Sequence, residues 1–333
     1  MNYTNGNYAA FSKPRKPQGI ENKKAYIVGG GLAGLAVAGF LIRDGQMPGQ
    51  NITIFEHLPI TGGGCDGIRD EKLGYIIRGG REMEDHFECL WDLFRSIPSL
   101  KNEGMSVLDE FFYLNKDDPS SSPVRITEKC GQDAKTRNKF GLTDKAALEL
   151  MGLFLTPEKD LQGKKIVDVF SKEFFESNFW TFWRTMFAFE DWHSAIEMRR
   201  YVTRYVHHAH KITDISCLKF TTYNQYESLI LPLYEYLNSE GVQFLYNCTV
   251  TNVVFDVKNN AKVAKKIQYV IDGKQQEKQL SKDDLAFVTL GSNTDSSTFG
   301  EQDKKAEFPQ EVGPSSYKVL FKTLFRLRWK TSR

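Results

Sequence analysis

The chain has 333 residues, of which 41% are hydrophobic, 26% charged and 13% aromatic, enough to bury a core in about two domains. These values exclude a disordered chain and a collagen-like repeat. The 44 basic and 42 acidic residues leave a net charge of only +2, which excludes nucleic acid as a main partner, because binding phosphates needs a concentrated basic surface.

The first residues, 1–23, form a polar, lysine-containing arm without the apolar core of a signal peptide, so a cytoplasmic location is expected. The uncharged run from Tyr26 to Ile42 is interrupted by glycines and is shorter than the roughly 20 residues of a membrane span. We predict a buried strand, a turn and a helix there. Five scattered cysteines without a CxxC pair predict neither a disulfide framework nor a thiolate zinc site.

A strand, a glycine loop, a helix and a second strand follow one another closely. The strand Ala25 to Val28 runs into the sequence GGGLAG, an apolar helix extends to about Arg43, and the strand Asn51 to Phe55 stops at Glu56. This is the GxGxxG pattern of a Rossmann-like dinucleotide-binding βαβ unit and predicts a mixed α/β fold; its glycines permit a tight turn, approach of a pyrophosphate and close helix packing. Its predicted contacts are Gly29, Gly31, Ala33, Gly34 and Glu56, the last to a ribose hydroxyl.

A second glycine cluster, in the segment Leu58 to Gly67, lies directly behind the ribose-binding acid. In flavoproteins with this architecture such a loop lies along the cofactor, where side chains would obstruct it, so FAD is favoured over NAD. Gly63 and Gly64 are the predicted contacts. A third segment, Ile77 to His86, concentrates arginines and acids before a helix predicted by the spacing of Phe87, Leu90, Trp91 and Phe94. This segment is interpreted either as a solvated loop or as a segment that lies beside the cofactor.

Residues 88–240 are predicted to be mostly helical and to cover a substrate pocket, whereas residues 24–87 and 241–300 would form the FAD-binding lobe. Trp192 to Val202 is one of the candidate helices. His207, His208 and His210 complete no recognised metal spacing, and no metal site is predicted. Strands are expected near Gly241 to Val250, with a backbone contact to adenine at Val250, and from Leu285 into Gly291 and Ser292, with a hairpin at Asp272 and Gly273 between them.

Several longer segments resemble one family. They are YIVGGGLAGL from Tyr26, RGGREMEDHFECLWDLF from Arg78, NFW from Asn178, MFAF from Met186, WHSAIEMRRY from Trp192 and YNQYE from Tyr223. These segments are similar to the fatty acid hydratases, the oleate hydratase family also called myosin-cross-reactive antigens. The resemblance runs from about Asn2 to Gly300.

The resemblance implies a lyase that adds water across the cis-9 double bond of an unsaturated fatty acid such as oleate or linoleate, giving a 10-hydroxy acid, with FAD bound but without net redox change. It implies that Glu82 positions or deprotonates water and that Tyr201 donates a proton. Arg78, Gly80 and Arg81 would contact FAD or lie close to it, and Asn224 or Gln225 would line the fatty-acid channel. A homodimer is implied for the full-length family.

Two departures from the family are visible. The family usually has serine where this chain has Gly64, and family members continue well beyond Arg333, so the C-terminal part of the family fold is expected to be missing. Residues 301–333 form a divergent basic tail, in which the pattern from Tyr317 to Lys330 suits either a helix lying on an anionic membrane or an ordinary surface helix. The alternatives are an amine oxidase-like flavin oxidoreductase and an inactive FAD-binding remnant.

Overall fold

The computed structural model describes residues 13–65, 67–72, 74–77, 82–134, 139–258, 261–289, 298 and 300–310. Within these residues the chain divides into two compact units. The helical unit contains Glu82–His86 and Asn115–Phe220. The sheet unit contains the described residues up to Ile77, then Phe87–Leu114, and the described residues from Thr221 onward.

Helices and strands are numbered in chain order. The helices are α1 (Leu32–Arg43), α2 (Glu88–Phe94), α3 (Val107–Asp117), α4 (Asp144–Leu155), α5 (Lys172–Phe175), α6 (Asn178–Phe187), α7 (Ala195–Tyr205) and α8 (Leu231–Ser239). The strands are β1 (Ala25–Val28), β2 (Ile52–Phe55), β3 (Gly67–Asp70), β4 (Gly74–Ile77), β5 (Thr127–Glu128), β6 (Gln132–Asp133), β7 (Gln243–Leu245), β8 (Cys248–Lys258), β9 (Ala261–Ile271), β10 (Lys274–Gln279) and β11 (Leu285–Val288). Short 3-10 helices cover Ile20–Asn22, Gly49–Asn51, Gly63–Cys65, Glu158–Leu161, Ile166–Asp168 and Val206–Lys211, and a π-helix covers Tyr226–Ile230.

A parallel sheet in the order β11-β1-β2-β7 is the centre of the sheet unit. Ala25 of β1 pairs with Ile52 of β2 and with Leu285 of β11, so the three strands start level. All four residues of β1 are buried, as expected for a central strand covered on both faces. Helix α1 connects β1 to the parallel strand β2. The predicted mixed α/β class with a Rossmann-like βαβ unit is confirmed, and the uncharged run after Tyr26 is a strand, a turn and a helix.

Helices α1, α2 and α8 pack together in this unit. A Cβ added to Gly39 of α1 would lie 3.0 Å from Leu93 of α2 and 3.7 Å from Leu233 of α8, so the missing side chain allows the close approach. At the end of α1, the guanidinium of Arg43 donates to the carboxylate of Asp92 at 2.5 Å and to its backbone oxygen at 2.6 Å. Both contacts fix α1 against α2.

The strands β8, β9 and β10 form a separate antiparallel sheet. Asp272 and Gly273 have φ values of 50° and 70°, the left-handed pair that a two-residue hairpin requires, so the predicted turn is confirmed. The prediction that Val250 lies at the end of a strand is wrong. Val250 is the third residue of the long strand β8 and pairs with Tyr269 of β9. The predicted strand is divided at Tyr246 and Asn247, where the chain leaves the parallel sheet and enters the antiparallel one.

The helical unit is built around an aromatic core. Its largest buried side chains come from α5, α6 and α7 and from the turns beside them; they include Phe170, Phe174, Phe179, Trp180, Phe182, Trp183, Phe189 and Met198. Ser177 separates α5 from α6, because its hydroxyl accepts from Trp180 N at 3.2 Å and caps the new helix. Helix α7 begins at Ala195, later than the predicted Trp192, after Ser194 at its N-cap.

The two units divide the chain differently from the expected lobes. Residues 115–220 form most of the helical unit, whereas Phe87–Leu114 and the helical residues after Thr221 belong to the sheet unit. The physical reason is that α2 and α8 cover α1, which itself lies on the parallel sheet. Across the described part of the chain, each helix is too short or too polar to cross a bilayer.

Candidate functional site

The glycine loop after β1 depends on two missing side chains. Gly29 has a φ of 98°, and a Cβ added there would lie 2.3 Å from the hydroxyl oxygen of Thr289. A Cβ on Gly34 would lie 1.9 Å from the backbone oxygen of Gly29. The first turn of α1 therefore packs on the loop at a distance that no larger residue permits, and the loop holds a fixed shape.

Glu56 at the end of β2 is buried and bonded to the backbone on both sides. One carboxylate oxygen accepts from Gly30 N at 2.7 Å and the other from Leu58 N at 2.8 Å. The side chain thus joins the first glycine loop to the chain that leaves β2. The predicted ribose contact of Glu56 stays a prediction, and an acceptor with two oxygens and further lone pairs keeps the capacity for it.

The second glycine cluster lies directly against the first. Gly62 N donates to Gly30 O at 2.9 Å, and a Cβ on Gly63 would lie 3.0 Å from Gly31 Cα. Gly63 also has a φ of 56°. The sequence did not predict this contact between the two loops, because they appear there only as consecutive motifs. The touching residues Gly30, Gly31, Gly62 and Gly63 form a ridge of backbone without side chains.

The start of α1 has the electrostatics of an anion site. Gly31 is its N-cap and makes no side-chain capping hydrogen bond, so no cap occupies the amide groups of the first turn. These amides and the helix dipole favour a negative charge at this end. A glycine ridge beside an uncapped helix start fits the pyrophosphate of a dinucleotide, and the sheet unit therefore has a dinucleotide-binding architecture.

The other predicted cofactor residues are placed as follows. Ala33 is exposed on the first turn of α1, and Gly64 lies in the 3-10 helix of the second glycine cluster. Val250 is buried in the antiparallel sheet. The remaining predicted contacts lie outside the described residues; they are Arg78, Gly80, Arg81, Gly291 and Ser292.

A buried carboxylate organises the helical unit. The side chain of Glu84 is 2% exposed; one oxygen bonds to His208 Nε2 at 3.0 Å and accepts from His86 N at 3.1 Å. The other oxygen accepts from the guanidinium of Arg204, which also donates to the backbone oxygen of His86. These contacts fasten the segment Glu82–His86 to the end of α7 and the turn that follows it.

Glu82 and Tyr201, the predicted catalytic pair, lie on the two segments that Glu84 joins. Glu82 is exposed and precedes Met83, which forms an antiparallel bridge to Lys219 with N to O distances of 2.8 and 2.9 Å. Tyr201 lies on α7 one turn before Arg204, is 41% exposed, and packs edge-on against Phe187 and Phe189. Both side chains are exposed, and both are carried by backbone that buried contacts hold in place.

The residues around Glu84 shift the pKa values of Tyr205 and His207. Burial raises the pKa of the Tyr205 phenol, and the carboxylate of Glu84 adds to the increase. Burial also lowers the pKa of His207, as do the neighbouring rings of His208 and His86, against the opposing effect of Glu84. The Tyr205 phenol and the His207 imidazole are therefore held in their neutral forms more strongly than in water.

The two predicted substrate residues have different surroundings. Asn224 uses its side-chain oxygen to accept from Glu227 N at 3.0 Å, and its backbone oxygen accepts from Ser228 N at 2.9 Å. This is a capping arrangement at the start of the π-helix, and it gives Asn224 a structural role. Gln225 is half-buried beside it. Contact of either residue with a fatty acid stays a prediction.

Glu84 and His86 were not identified as site residues from the sequence. The sequence pattern grouped His207 and His208 with His210, whereas the structure places His86 with them, at ring-centroid distances of 4.1 Å from His207 and 5.5 Å from His208. The signal that could have identified them is the acid and the histidine in the segment from Glu82 to His86. Their role is evident only once a distant helix packs against this segment.

Comparison with known proteins identifies the family. The profile of the MCRA family matches residues 22–326. The chain is 49% identical over 315 residues to oleate hydratase of Streptococcus pyogenes serotype M49 (strain NZ131), covering 95% of this chain and 53% of that protein. It is 29% identical over 316 residues to linoleate hydratase of Lactiplantibacillus plantarum, covering 88% of this chain and 55% of that protein.

A fatty acid isomerase from P. acnes that produces CLA is similar at 15% identity with a TM-score of 0.45, over 81% of this chain and 59% of that one, too distant to indicate function. The chain spans about half the length of the two hydratases that it matches. The family profile covers most of the chain, from the first strand of the parallel sheet to the residues beyond the last one. The protein therefore belongs to the MCRA family.

Proposed function

We propose that this protein hydrates the cis-9 double bond of an unsaturated fatty acid, with oleate as the model substrate and a 10-hydroxy fatty acid as the product. The observation that carries the proposal is the 49% identity to an oleate hydratase over 95% of the chain. The match includes both segments that Glu84 joins, and so includes the backbone that carries Glu82 and Tyr201.

The reaction needs a proton donor and a base on separate groups. In the proposed step the phenol of Tyr201 gives its proton to C9, and a water oxygen bonds to C10 while the carboxylate of Glu82 takes a proton from that water. The proton then returns from Glu82 to Tyr201 through solvent, so the net change is one water added to one alkene. Protonating an unactivated alkene develops positive charge on carbon, which a neighbouring carboxylate stabilises.

The residues present fit an FAD in the sheet unit. The glycines 29, 31, 34, 63 and 64 would allow the pyrophosphate to approach the backbone, and Glu56 would accept from the ribose. Bound FAD would supply electrostatic organisation without net redox turnover. The membrane contact and the homodimer implied by the family resemblance stay predictions.

The test uses the 333-residue chain supplied with FAD and oleate, with and without an electron acceptor. We expect a 10-hydroxy acid without the acceptor. Turnover that requires the acceptor would instead support the flavin oxidoreductase, and flavin uptake without any product would support the inactive remnant.

Two matched variants then test the chemistry. Glu82→Gln should lower kcat by roughly 10²–10⁴-fold and leave FAD affinity nearly unchanged, because it removes a base and keeps the shape of the side chain. Asp85→Asn, an exposed acid in the same segment, is the control and should keep the wild-type rate. Equal rates for wild type and Glu82→Gln would remove Glu82 from the mechanism.

A further inference from the structure

Three imidazole rings meet in the helical unit. His86 ends the segment that begins at Glu82, whereas His207 and His208 belong to the 3-10 helix directly after α7. The ring centroids of His86 and His207 are 4.1 Å apart, as are those of His207 and His208. One ring nitrogen of each histidine lies within 4.8 Å of one ring nitrogen of each of the other two histidines.

The three nitrogens lie near one another, within 4.8 Å, but farther apart than around a bound ion. A zinc ion bound tetrahedrally by three imidazoles at 2.0–2.1 Å places their nitrogens about 3.3 Å apart. His86 and His207 are exposed, so an ion can reach their rings from solvent. His208 is 4% exposed, and because its Nε2 is bonded to Glu84, Nδ1 is the nitrogen left to bind an ion.

The carboxylate of Glu84 gives the cluster the support that metal-bound histidines commonly have. It bonds to Nε2 of His208 at 3.0 Å and so fixes the orientation of that ring. The guanidinium of Arg204 contacts the other carboxylate oxygen of Glu84. The positive charge of Arg204, which would repel a metal ion, is therefore paired with the buried negative charge of Glu84.

We propose that His86, His207 and His208 form a site for one divalent transition-metal ion of the zinc class, oriented by Glu84. Imidazole ligands select zinc, cobalt, nickel or copper, whereas magnesium and calcium prefer oxygen ligands. A three-histidine set leaves a fourth position for water. The ion would also connect the segment Glu82–His86 to the turn after α7, two parts of the chain that are far apart in sequence.

The experiment measures zinc binding directly and does not depend on hydratase activity. The tag-free chain is stripped with a chelator and dialysed against Zn²⁺, and bound metal is determined by elemental analysis. We expect one zinc per chain, with a higher Tm at saturating zinc because the ion binds the folded state. Magnesium at the same concentration should neither bind nor raise the Tm.

Single substitutions locate the site. His86→Ala and His207→Ala should each weaken zinc binding by at least ~10-fold, while His210→Ala, two positions from His208 and outside the cluster, should bind as wild type does. Cobalt should give visible absorption bands in the wild type that are lost in His207→Ala. No bound zinc, or zinc binding that is unchanged in both His86→Ala and His207→Ala, would overturn the proposal, and neither result bears on the hydratase assay.

Discussion

The glycine ridge of the sheet unit and the Glu84 centre of the helical unit are built in different ways. The ridge consists of backbone from two loops, one after β1 and one after β2. Its shape depends on the absence of side chains at its glycines. The Glu84 centre consists of side chains from segments more than a hundred residues apart, and its shape depends on a buried carboxylate that is paired. A consecutive motif can therefore reveal the first kind of site, whereas only folding assembles the second.

The largest expected effect comes from filling the ridge. Gly34→Ala should lower the free energy of unfolding by more than about 3 kcal/mol, because its Cβ would lie 1.9 Å from the backbone oxygen of Gly29. Urea unfolding followed by circular dichroism measures the change. The control is Gly152→Ala in α4, whose Cβ would meet nothing within 4 Å and which should stabilise the protein by about 0.5–1 kcal/mol.

If Gly34→Ala unfolds at the same urea concentration as the wild type, the loop can shift to accommodate the added Cβ. The shape of the ridge would then not depend on the missing side chain at Gly34.

The next effect tests the Glu84 centre. Glu84→Ala should cost about 2–3 kcal/mol, because it removes the carboxylate that accepts from Arg204 and bonds to the buried His208; the partial exposure of Arg204 keeps the loss below that of a fully buried pair. Glu197→Ala, an exposed acid on α7, should change the free energy of unfolding by less than about 0.5 kcal/mol. Equal stabilities of the two variants would show that Glu84 does not organise the unit.

The smallest effect is a dependence on pH in the sheet unit. Burial by itself raises the pKa of Asp92, but hydrogen bonds from Arg43 and Arg95 outweigh it and hold the pKa below the ordinary value of 3.8. A carboxyl group with a lowered pKa in the folded state stabilises the protein above the unfolded value, and that stabilisation is lost as the pH falls through the folded value.

Asp92→Asn should therefore be less stable than the wild type at pH 7 by up to about 1 kcal/mol, a figure reduced for solvent screening of this partly exposed pair. The difference should shrink as the pH falls below about 4. Free energies of unfolding at several pH values measure it, and a difference that stays constant into acid would assign the effect to packing.

The ridge was largely predictable, because each of its parts is encoded by neighbouring residues. The strand Ala25 to Val28, the glycines after it and the end of α1 at Arg43 are where the local pattern predicts them. The contact of Gly31 with Gly63 was not predictable, since motif spacing does not specify which loops touch. The predicted start of α7 was wrong by three residues, because Ser194 is the N-cap and the helix begins at Ala195, not at Trp192.

By itself, the sequence determined the βαβ unit, the hairpin at Asp272 and Gly273 and the family, since these depend on local conformational preference and on consecutive motifs. Only the tertiary structure decided that Glu84 bonds to His208 and Arg204, that His86 joins His207, and that α2 and α8 belong with the sheet. The physical reason is that burial and pairing of charges are properties of packed segments, and their energy depends on which distant parts of the chain come together.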